Sequence, residues 1–187
     1  MKNIIFISLF IFTFSCKAQQ VYSLRPVEID LPENSYEKDT NNELSQYEGT
    51  WKGTWNNKTI FITFEKITNK YDTTVKRYRD YLIGKFIVKD DNGNILFDNT
   101  NLSDDEAKIV GINFRKYGNK YSLIYIDPDL CHTTGSARIN FTDATKTKLE
   151  WKYSQDFNLI DKTCFFHGLS QSQRPEPLPT NIILTKQ

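Results

Sequence analysis

The sequence contains little histidine, little glycine and almost no methionine. Its 187 residues include two His, eight Gly and one Met, and its formal net charge is only +1. A nearly neutral chain lacks the basic stripe that displaces counterions from nucleic acid, so we predict no nucleic-acid partner. No cluster of Lys and Arg along the chain indicates a membrane-surface patch. No nucleophile elbow and no cofactor-binding motif occur, so we predict a protein that is not an enzyme and holds no cofactor.

Long apolar runs are also absent, except between residues 4 and 14. Lys2 gives this run a basic start and Ser15 is a small residue at its end, which is the pattern of a secretory signal. The run is shorter than the roughly 20 apolar residues that cross a bilayer as a helix. We therefore predict a signal peptide at residues 1–15.

Cys16 follows this signal directly, and the arrangement resembles a bacterial lipoprotein signal. The resemblance implies that Cys16 is lipidated, becomes the mature N-terminus and anchors the protein to a membrane. Residues 17–20 include no acidic residue, and by resemblance to lipoprotein sorting signals this favours the outer membrane, facing the periplasm. The alternative is ordinary signal cleavage after Ala18.

The remaining length suits one domain with a sizeable core. Residues 16–47 are polar and include Pro26 and Pro32, so we predict an N-terminal tether. The alternative is a segment that packs along the folded body, because short stretches within it alternate between apolar and polar residues. We predict a β-barrel domain at residues 48–187.

From Gly49 onward apolar residues recur at every second position, which is typical of half-buried strands. Aromatic residues make up 14% of the chain, and this also favours β structure. The predicted strands are 49–55, 59–67, 80–89, 95–97, 109–116, 121–125, 137–142, 149–153 and 181–186. In the fifth of these we expect Val110, Ile112 and Phe114 to face inward. The sequence thus predicts an all-β fold, a single antiparallel up-and-down meander barrel of eight or nine strands, since closure removes unpaired edges.

Three places carry a resemblance to known families. Gly49-Thr50-Trp51 is similar to the Gly-x-Trp start of a lipocalin or related calycin barrel, which implies that Trp51 packs across a closed barrel end. Lipocalins cover that Trp with an Arg late in the chain, and the last strand here offers Lys186. Together with residues 15–19 and 178–186, the motif resembles an uncharacterised family of lipoproteins from Bacteroidetes-type bacteria.

Cys131-His132 and Cys164-x-x-His167 are the only cluster with metal-ligand chemistry. Two Cys and two His could form a tetrahedral zinc site. We favour a disulfide between Cys131 and Cys164 and no metal, because the pair is even in number and an oxidising compartment favours its oxidation. The bond would join two loops at one end of the barrel. A hydrolytic triad built on either His lacks any supporting motif.

Aromatic side chains on the inward faces could line a cavity for one apolar ligand. The candidate pocket residues are Trp55, Phe64, Phe86, Phe114 and Tyr125. The alternative is that such side chains simply fill a small barrel. We therefore expect a lipid-anchored cell-envelope protein that binds a small apolar or amphipathic ligand. The alternative function is a non-enzymatic module that docks on an outer-membrane or envelope partner, which the sequence does not identify.

Overall fold

A computed structural model describes residues 18–25, 30–157 and 160–187 of the chain. The predicted signal peptide and the predicted lipid anchor Cys16 lie outside these residues. Within them, no helix has the length and apolar character needed to cross a membrane.

The fold is all-β and antiparallel around a closed barrel, as predicted. Its strands are β1 (Val21–Ser23), β2 (Tyr36–Lys38), β3 (Gly49–Trp55), β4 (Lys58–Asp72), β5 (Arg77–Lys89), β6 (Ile95–Asp98), β7 (Ile109–Phe114), β8 (Tyr121–Asp127), β9 (Thr133–Phe141), β10 (Lys148–Gln155) and β11 (Asn181–Lys186). In the described part of the chain, four short 3-10 helices accompany them, at Leu44–Gln46, Asp104–Glu106, Pro128–Leu130 and Gln171–Gln173. Eight strands form the ring, in the order β3, β4, β5, β7, β8, β9, β10 and β11, and β11 pairs with β3 to close it.

One edge of β5 pairs with three different strands along its length. β2 pairs in parallel with the start of β5, β7 pairs with its middle at Ile83 and Gly84, and β6 pairs with its far end. β1 then adds a further parallel strand to β2. The N-terminal strands therefore extend the sheet where the β4–β5 hairpin projects beyond the ring.

Strand β7 departs from the predicted inward pattern. The pairing of β7 with β8 shifts between Gly111 and Asn113, which marks a β-bulge. Ile109 and Phe114 are buried, whereas Val110 and Ile112 are only half-buried. The prediction that Val110 and Ile112 face inward is therefore wrong, because the extra residue of a bulge changes the alternation part-way along the strand.

Residues 34–47, part of the predicted tether, pack on the barrel. Leu44 is fully buried in the core cluster. The Asp39 carboxylate accepts hydrogen bonds from the backbone N–H groups of Glu43 and Leu44 at 2.7 and 2.9 Å. Asp80 on β5 accepts one from the Asp39 N–H at 2.9 Å. These buried carboxylates fix the segment in place, so the tether prediction is wrong for these residues and the packed alternative describes them.

The two ends of the barrel differ. The closed end carries the segment 44–47 and the turns 73–76, 115–120 and 142–147. The disulfide end carries the turns 56–57 and 90–94, the loop 128–132 and the long connection 156–180.

Trp51 lies at the closed end and is fully buried, as the resemblance implied. Its Nε1–H donates to the Tyr47 carbonyl at 2.7 Å. The Lys186 ammonium lies 5.4 Å from the centre of the Trp51 ring. A lysine on the last strand therefore covers this tryptophan through a cation–π contact.

Candidate functional site

The disulfide end is organised by the bond between Cys131 and Cys164, which confirms the predicted pairing. Their Cα atoms are 5.6 Å apart. Leu130, Cys164 and Phe166 form a small second core beneath the loops, and Phe97 of β6 packs against it. The bond thus joins the loop after β8 to the connection before β11.

The zinc alternative finds no support at this place. The two cysteine sulfurs are bonded to each other, so neither is a thiolate ligand. Across the described ranges, no group of three or more His, Cys, Asp and Glu side chains is placed to hold a metal ion.

The final part of the connection closes the barrel at the disulfide end. Leu178 is buried in the main core, and the prolines on either side of it are buried as well. The Trp151 Nε1–H donates to the Pro179 carbonyl at 2.8 Å, and the Tyr153 backbone N–H donates to the Thr180 carbonyl at 2.8 Å. These bonds hold residues 177–180 across the opening.

A cleft of about 670 Å³, which we call the mouth cleft, lies outside this closure. Tyr153 and Leu178 contribute buried apolar surface to it, and Ile160 adds a half-buried aliphatic side chain. Lys58 and Arg174 contribute positive charge. The cleft therefore combines apolar and polar walls and lies over the end of the barrel rather than inside it.

Tyr153 stands out among the residues of the mouth cleft. It is 8% exposed, and its hydroxyl has no hydrogen-bond partner within the described part of the chain. A Cβ atom at Gly135 would lie 2.6 Å from that hydroxyl oxygen, so the glycine leaves room for the ring. Burial raises the pKa of Tyr153 above its usual value, so the hydroxyl stays protonated at neutral pH and can donate.

Charges at the edge of the cleft are only partly paired. Lys58 Nζ lies 3.4 Å from the Glu176 carboxylate. Arg174 Nε donates to the Leu169 carbonyl at 3.2 Å, and among the described residues its guanidinium makes no ion pair. A half-buried guanidinium of this kind can pair with a polar or anionic group of a ligand.

A buried polar network lies beneath the mouth cleft. Tyr125 donates from its hydroxyl to Asp127 at 2.5 Å, and Lys108 Nζ lies 2.6 Å from the same carboxylate. Burial lowers the pKa of Lys108, but the hydrogen bonds to Asp127 and Asp129 outweigh it and raise that pKa above its usual value. Asp127 also accepts from the Asp129 backbone N–H at 3.0 Å, which shapes the loop that carries Cys131. The network supports the loop, and its member Asp129 is exposed to solvent.

The five predicted pocket residues do not form one pocket. Phe64, Phe86 and Tyr125 are at most 2% exposed and belong to the main core, in agreement with the filled-barrel alternative. Trp55 lies at the disulfide end beside Lys58, whose Nζ is 5.4 Å from its ring centre. The Trp55 Nε1–H has no hydrogen-bond partner within the described ranges. Phe64, Phe86 and Tyr125 were correctly predicted to face the interior, but large aromatic side chains fill a ring of eight strands.

Phe114 lines a different cleft, of about 470 Å³, at the closed end. Arg25 lies over the Phe114 ring at 4.3 Å and pairs with Glu43. Tyr47 stacks on Phe141 at 4.4 Å between ring centres. We call this the closed-end cleft.

The sequence did not single out Tyr153 or Arg174 as site residues. The inward alternation of β10 placed Tyr153 on the buried face, but no local pattern shows that its hydroxyl lacks a partner. Arg174 lies in an irregular connection whose path depends on a disulfide between residues far apart in the chain. Both residues become candidates only through tertiary packing.

A family model matches residues 1–187. The chain belongs to DUF6705, a family of unknown function. No curated protein and no solved structure shows a significant match to this DUF6705 chain. Its function is therefore argued from the mouth cleft.

Proposed function

We propose that this protein is a non-enzymatic, lipid-anchored protein of the cell envelope that binds a small amphipathic ligand in the mouth cleft. The unpaired, buried hydroxyl of Tyr153 on a cleft of about 670 Å³ carries the proposal. Ligand clefts measure roughly 300–1,000 Å³, and a few placed polar groups orient their ligands. A buried hydroxyl without a partner is unfavourable, and a ligand acceptor atom would satisfy it.

The lining indicates what the ligand contains. Leu178 and Ile160 suit an apolar body, and Tyr153 suits an accepting oxygen, such as a carbonyl, ether or carboxylate. Arg174 suits a polar or anionic end group. Because the barrel is filled, the ligand lies over the end of the barrel and stays partly exposed.

Titration of the folded protein with 1-anilinonaphthalene-8-sulfonate tests the cleft. We expect saturable, one-to-one binding at micromolar concentration, weakened about three- to tenfold by Tyr153→Phe, since a single hydrogen bond is worth about 1 kcal/mol. Tyr117→Phe removes an exposed hydroxyl at the closed end and serves as the matched control, with no change in affinity. A titration without saturation, or equal losses in both variants, would contradict the proposal.

A separate experiment tests the lipid anchor, which we propose because Cys16 follows an apolar run. Replacing Cys16 with Ala should move the protein from the membrane fraction to the soluble periplasm, because stable anchoring relies on the attached lipid. Wild-type protein should incorporate labelled fatty acid. Retention of the variant in the membrane, together with no labelling of the wild type, would rule out lipidation.

A docking module is the second candidate, and exposed aromatic residues on the long connection favour it. Phe157 and Phe165 are 91% and 69% exposed at the disulfide end. Exposed apolar groups of this size are typical of contact surfaces. If no probe binds the mouth cleft, and Phe157→Ser with Phe165→Ser abolishes a defined cross-link to an envelope protein, docking replaces ligand binding as the function.

A further inference from the structure

Basic residues that are scattered in the sequence come together at the closed end. Its turns 73–76, 115–120 and 142–147 contain five basic residues and one acidic residue. The basic residues are Lys76, Arg115, Lys116, Lys120 and Lys146, and the acidic one is Asp143. The turn 115–120 contributes three of the five and no acidic residue. The sequence does not show these residues as one basic patch, because the three turns that carry them are far apart along the chain.

The disulfide end has the opposite charge. The turns 56–57 and 90–94, the loop 128–132 and the connection 156–180 contain six acidic and two basic residues. The acidic residues are Asp90, Asp91, Asp129, Asp156, Asp161 and Glu176, and the basic ones are Lys162 and Arg174. The turns at the two ends of the barrel therefore differ in the sign of their charge, although Glu33 pairs with Lys76 at 2.9 Å and offsets part of the positive charge at the closed end. An anionic surface would attract the closed end and repel the disulfide end.

Apolar groups project from the same basic turns. Tyr117, between Lys116 and Gly118, is 79% exposed. Val75, in the tight turn of the β4–β5 hairpin, is 36% exposed. Tyrosine side chains of this kind are enriched where proteins meet the headgroup region of a bilayer.

The N-terminal chain enters at this end. The Gln20 carbonyl accepts from the Tyr36 N–H at 2.8 Å, and the Gln19 side chain donates to the Asn34 carbonyl at 2.9 Å. The Asn34 N–H in turn donates to the Lys76 carbonyl, at the hairpin turn, at 2.8 Å. Four residues separate Val21 from Cys16, and the five Cα–Cα steps between the two span at most about 18 Å. A lipid on Cys16 would therefore hold the closed end close to the bilayer.

The closed-end cleft opens among these residues. Arg25 and Lys146 bring positive charge to it, and the amide groups of Asn119 and Asn140 line it. Arg25 is countered by Glu43, whereas Lys146 donates to the neutral Gln46 side chain at 2.5 Å. Cations and amides in one cleft suit the phosphate of a lipid headgroup.

We propose that the closed end is a membrane-contact surface that binds the headgroups of anionic lipids in the leaflet to which the protein is anchored. The inference rests on the proposed lipidation of Cys16, which brings this end to the bilayer. The turn 115–120 supplies the charge, Tyr117 enters the headgroup region, and the mouth cleft at the other end faces away from the membrane.

Site-specific fluorescence on the lipidated full-length protein tests this orientation. Tyr117→Cys offers a single free thiol, because Cys131 and Cys164 are bonded and Cys16 carries the lipid. The nitrobenzoxadiazole-labelled protein is reconstituted into vesicles of phosphatidylcholine alone or with 30% phosphatidylglycerol, each containing nitroxide-labelled lipid. We expect at least twofold stronger quenching in the anionic vesicles, and 0.5 M NaCl should abolish the difference. Phe157→Cys, with the same label at the disulfide end, should show little quenching in either.

Charge variants test whether anionic lipids attract the closed end electrostatically or whether the anchor alone holds the label near the bilayer. Arg115→Gln with Lys120→Gln, in the Tyr117→Cys background, should remove most of the anionic enhancement. Lys162→Gln removes an exposed charge at the disulfide end and should leave it unchanged. Equal quenching at positions 117 and 157, or the same quenching in both vesicle types, overturns the membrane-contact surface while leaving the anchor in place. If the protein fails to stay with any vesicle, both the anchor and the contact surface are wrong.

Discussion

At the scale of single residues, the buried tyrosines differ in whether their hydroxyl groups have partners. Tyr125 donates to Asp127, whereas Tyr153 has no partner within the described chain. Tyr153→Phe removes an unsatisfied buried group, so we expect the free energy of unfolding to stay equal or rise by up to about 1 kcal/mol. Urea denaturation of the ligand-free protein measures this.

Tyr125→Phe is the matched variant, since it removes the same atom from a satisfied site. It leaves the Asp127 carboxylate with one donor fewer, and we expect a loss of about 1–3 kcal/mol. Equal destabilisation by the two changes would show that the Tyr153 hydroxyl is satisfied after all, and the mouth cleft would then offer no unpaired buried donor to a ligand.

Trp51 is the largest side chain enclosed at the closed end. We expect Trp51→Ala to lower the free energy of unfolding by about 3–5 kcal/mol, the usual range for removing a large aromatic from a core. Lys186→Ala, which removes the cation over the ring together with its 3.4 Å hydrogen bond to the Gln46 carbonyl, should cost no more than about 1 kcal/mol. Chemical denaturation followed by far-UV circular dichroism distinguishes the two, and similar losses would mean that the ammonium contributes far more than a partly exposed cation–π contact.

At the scale of elements, the disulfide holds the connection that forms most of the mouth cleft. Replacing Cys131 and Cys164 by Ser opens a loop with a sequence separation of 33. The chain-entropy relation gives a loss of about 3–4 kcal/mol in unfolding free energy. We expect the ring of strands to keep its circular dichroism while affinity for the fluorescent probe falls at least tenfold.

The control for this variant is Cys16→Ala, which removes a cysteine without touching the loop. It should leave probe affinity unchanged in the detergent-solubilised protein. Undiminished binding in the Cys131 and Cys164 double variant would place the ligand elsewhere on the molecule.

Elements that a local sequence pattern marks were predictable, whereas elements held by contacts with residues distant in the chain were not. The strands 49–55 and 181–186 were predicted with the observed bounds, because alternation and turn residues mark them. Asn56 and Asn57 both adopt positive φ, as expected of their turn. Packing of the segment 34–47 was predicted only as the alternative to a tether, since Asp80, which holds it, lies on β5 and leaves no trace in the local pattern.

At the scale of the whole molecule, buried tyrosines make the fold sensitive to alkaline pH. Burial raises the pKa of Tyr47 from 10.0 to about 12. Between these values the unfolded chain loses the proton that the folded protein keeps, so stability is complete below pH 10 and falls as the pH rises towards 12. The shift corresponds to roughly 2–3 kcal/mol.

Tyr47→Phe isolates this contribution, because it keeps the ring and removes the ionising group. We expect the unfolding free energy of wild type, measured from pH 8 to pH 11.5, to fall more steeply than that of the variant above pH 10. Tyrosinate absorbance at 295 nm should rise together with unfolding. Parallel pH profiles would mean that Tyr47 ionises without loss of structure.

The closed barrel could also be predicted from the sequence, but the difference between its two ends could not. A meander of short strands favours closure, and the ring of eight confirms it. Strand order determines which turns share an end of the barrel. The filled interior depends on the packing of its side chains, and the mouth cleft depends on how Leu178 and its neighbours cross the opening. Side-chain volume in three dimensions decides that, and a linear pattern does not contain it.

Barrel closure between β3 and β11 pairs Lys52 with Thr185 and Trp51 with Lys186, residues far apart in the chain. Such a contact forms late, because a long stretch of chain must be ordered before its ends can meet. If the protein is exported from its N-terminus, as proposed, β3 would reach the far side of the membrane before β11, with an edge that has no partner. The β3 edge would stay unpaired until β11 is available, and a chaperone that shields this edge would act in that interval.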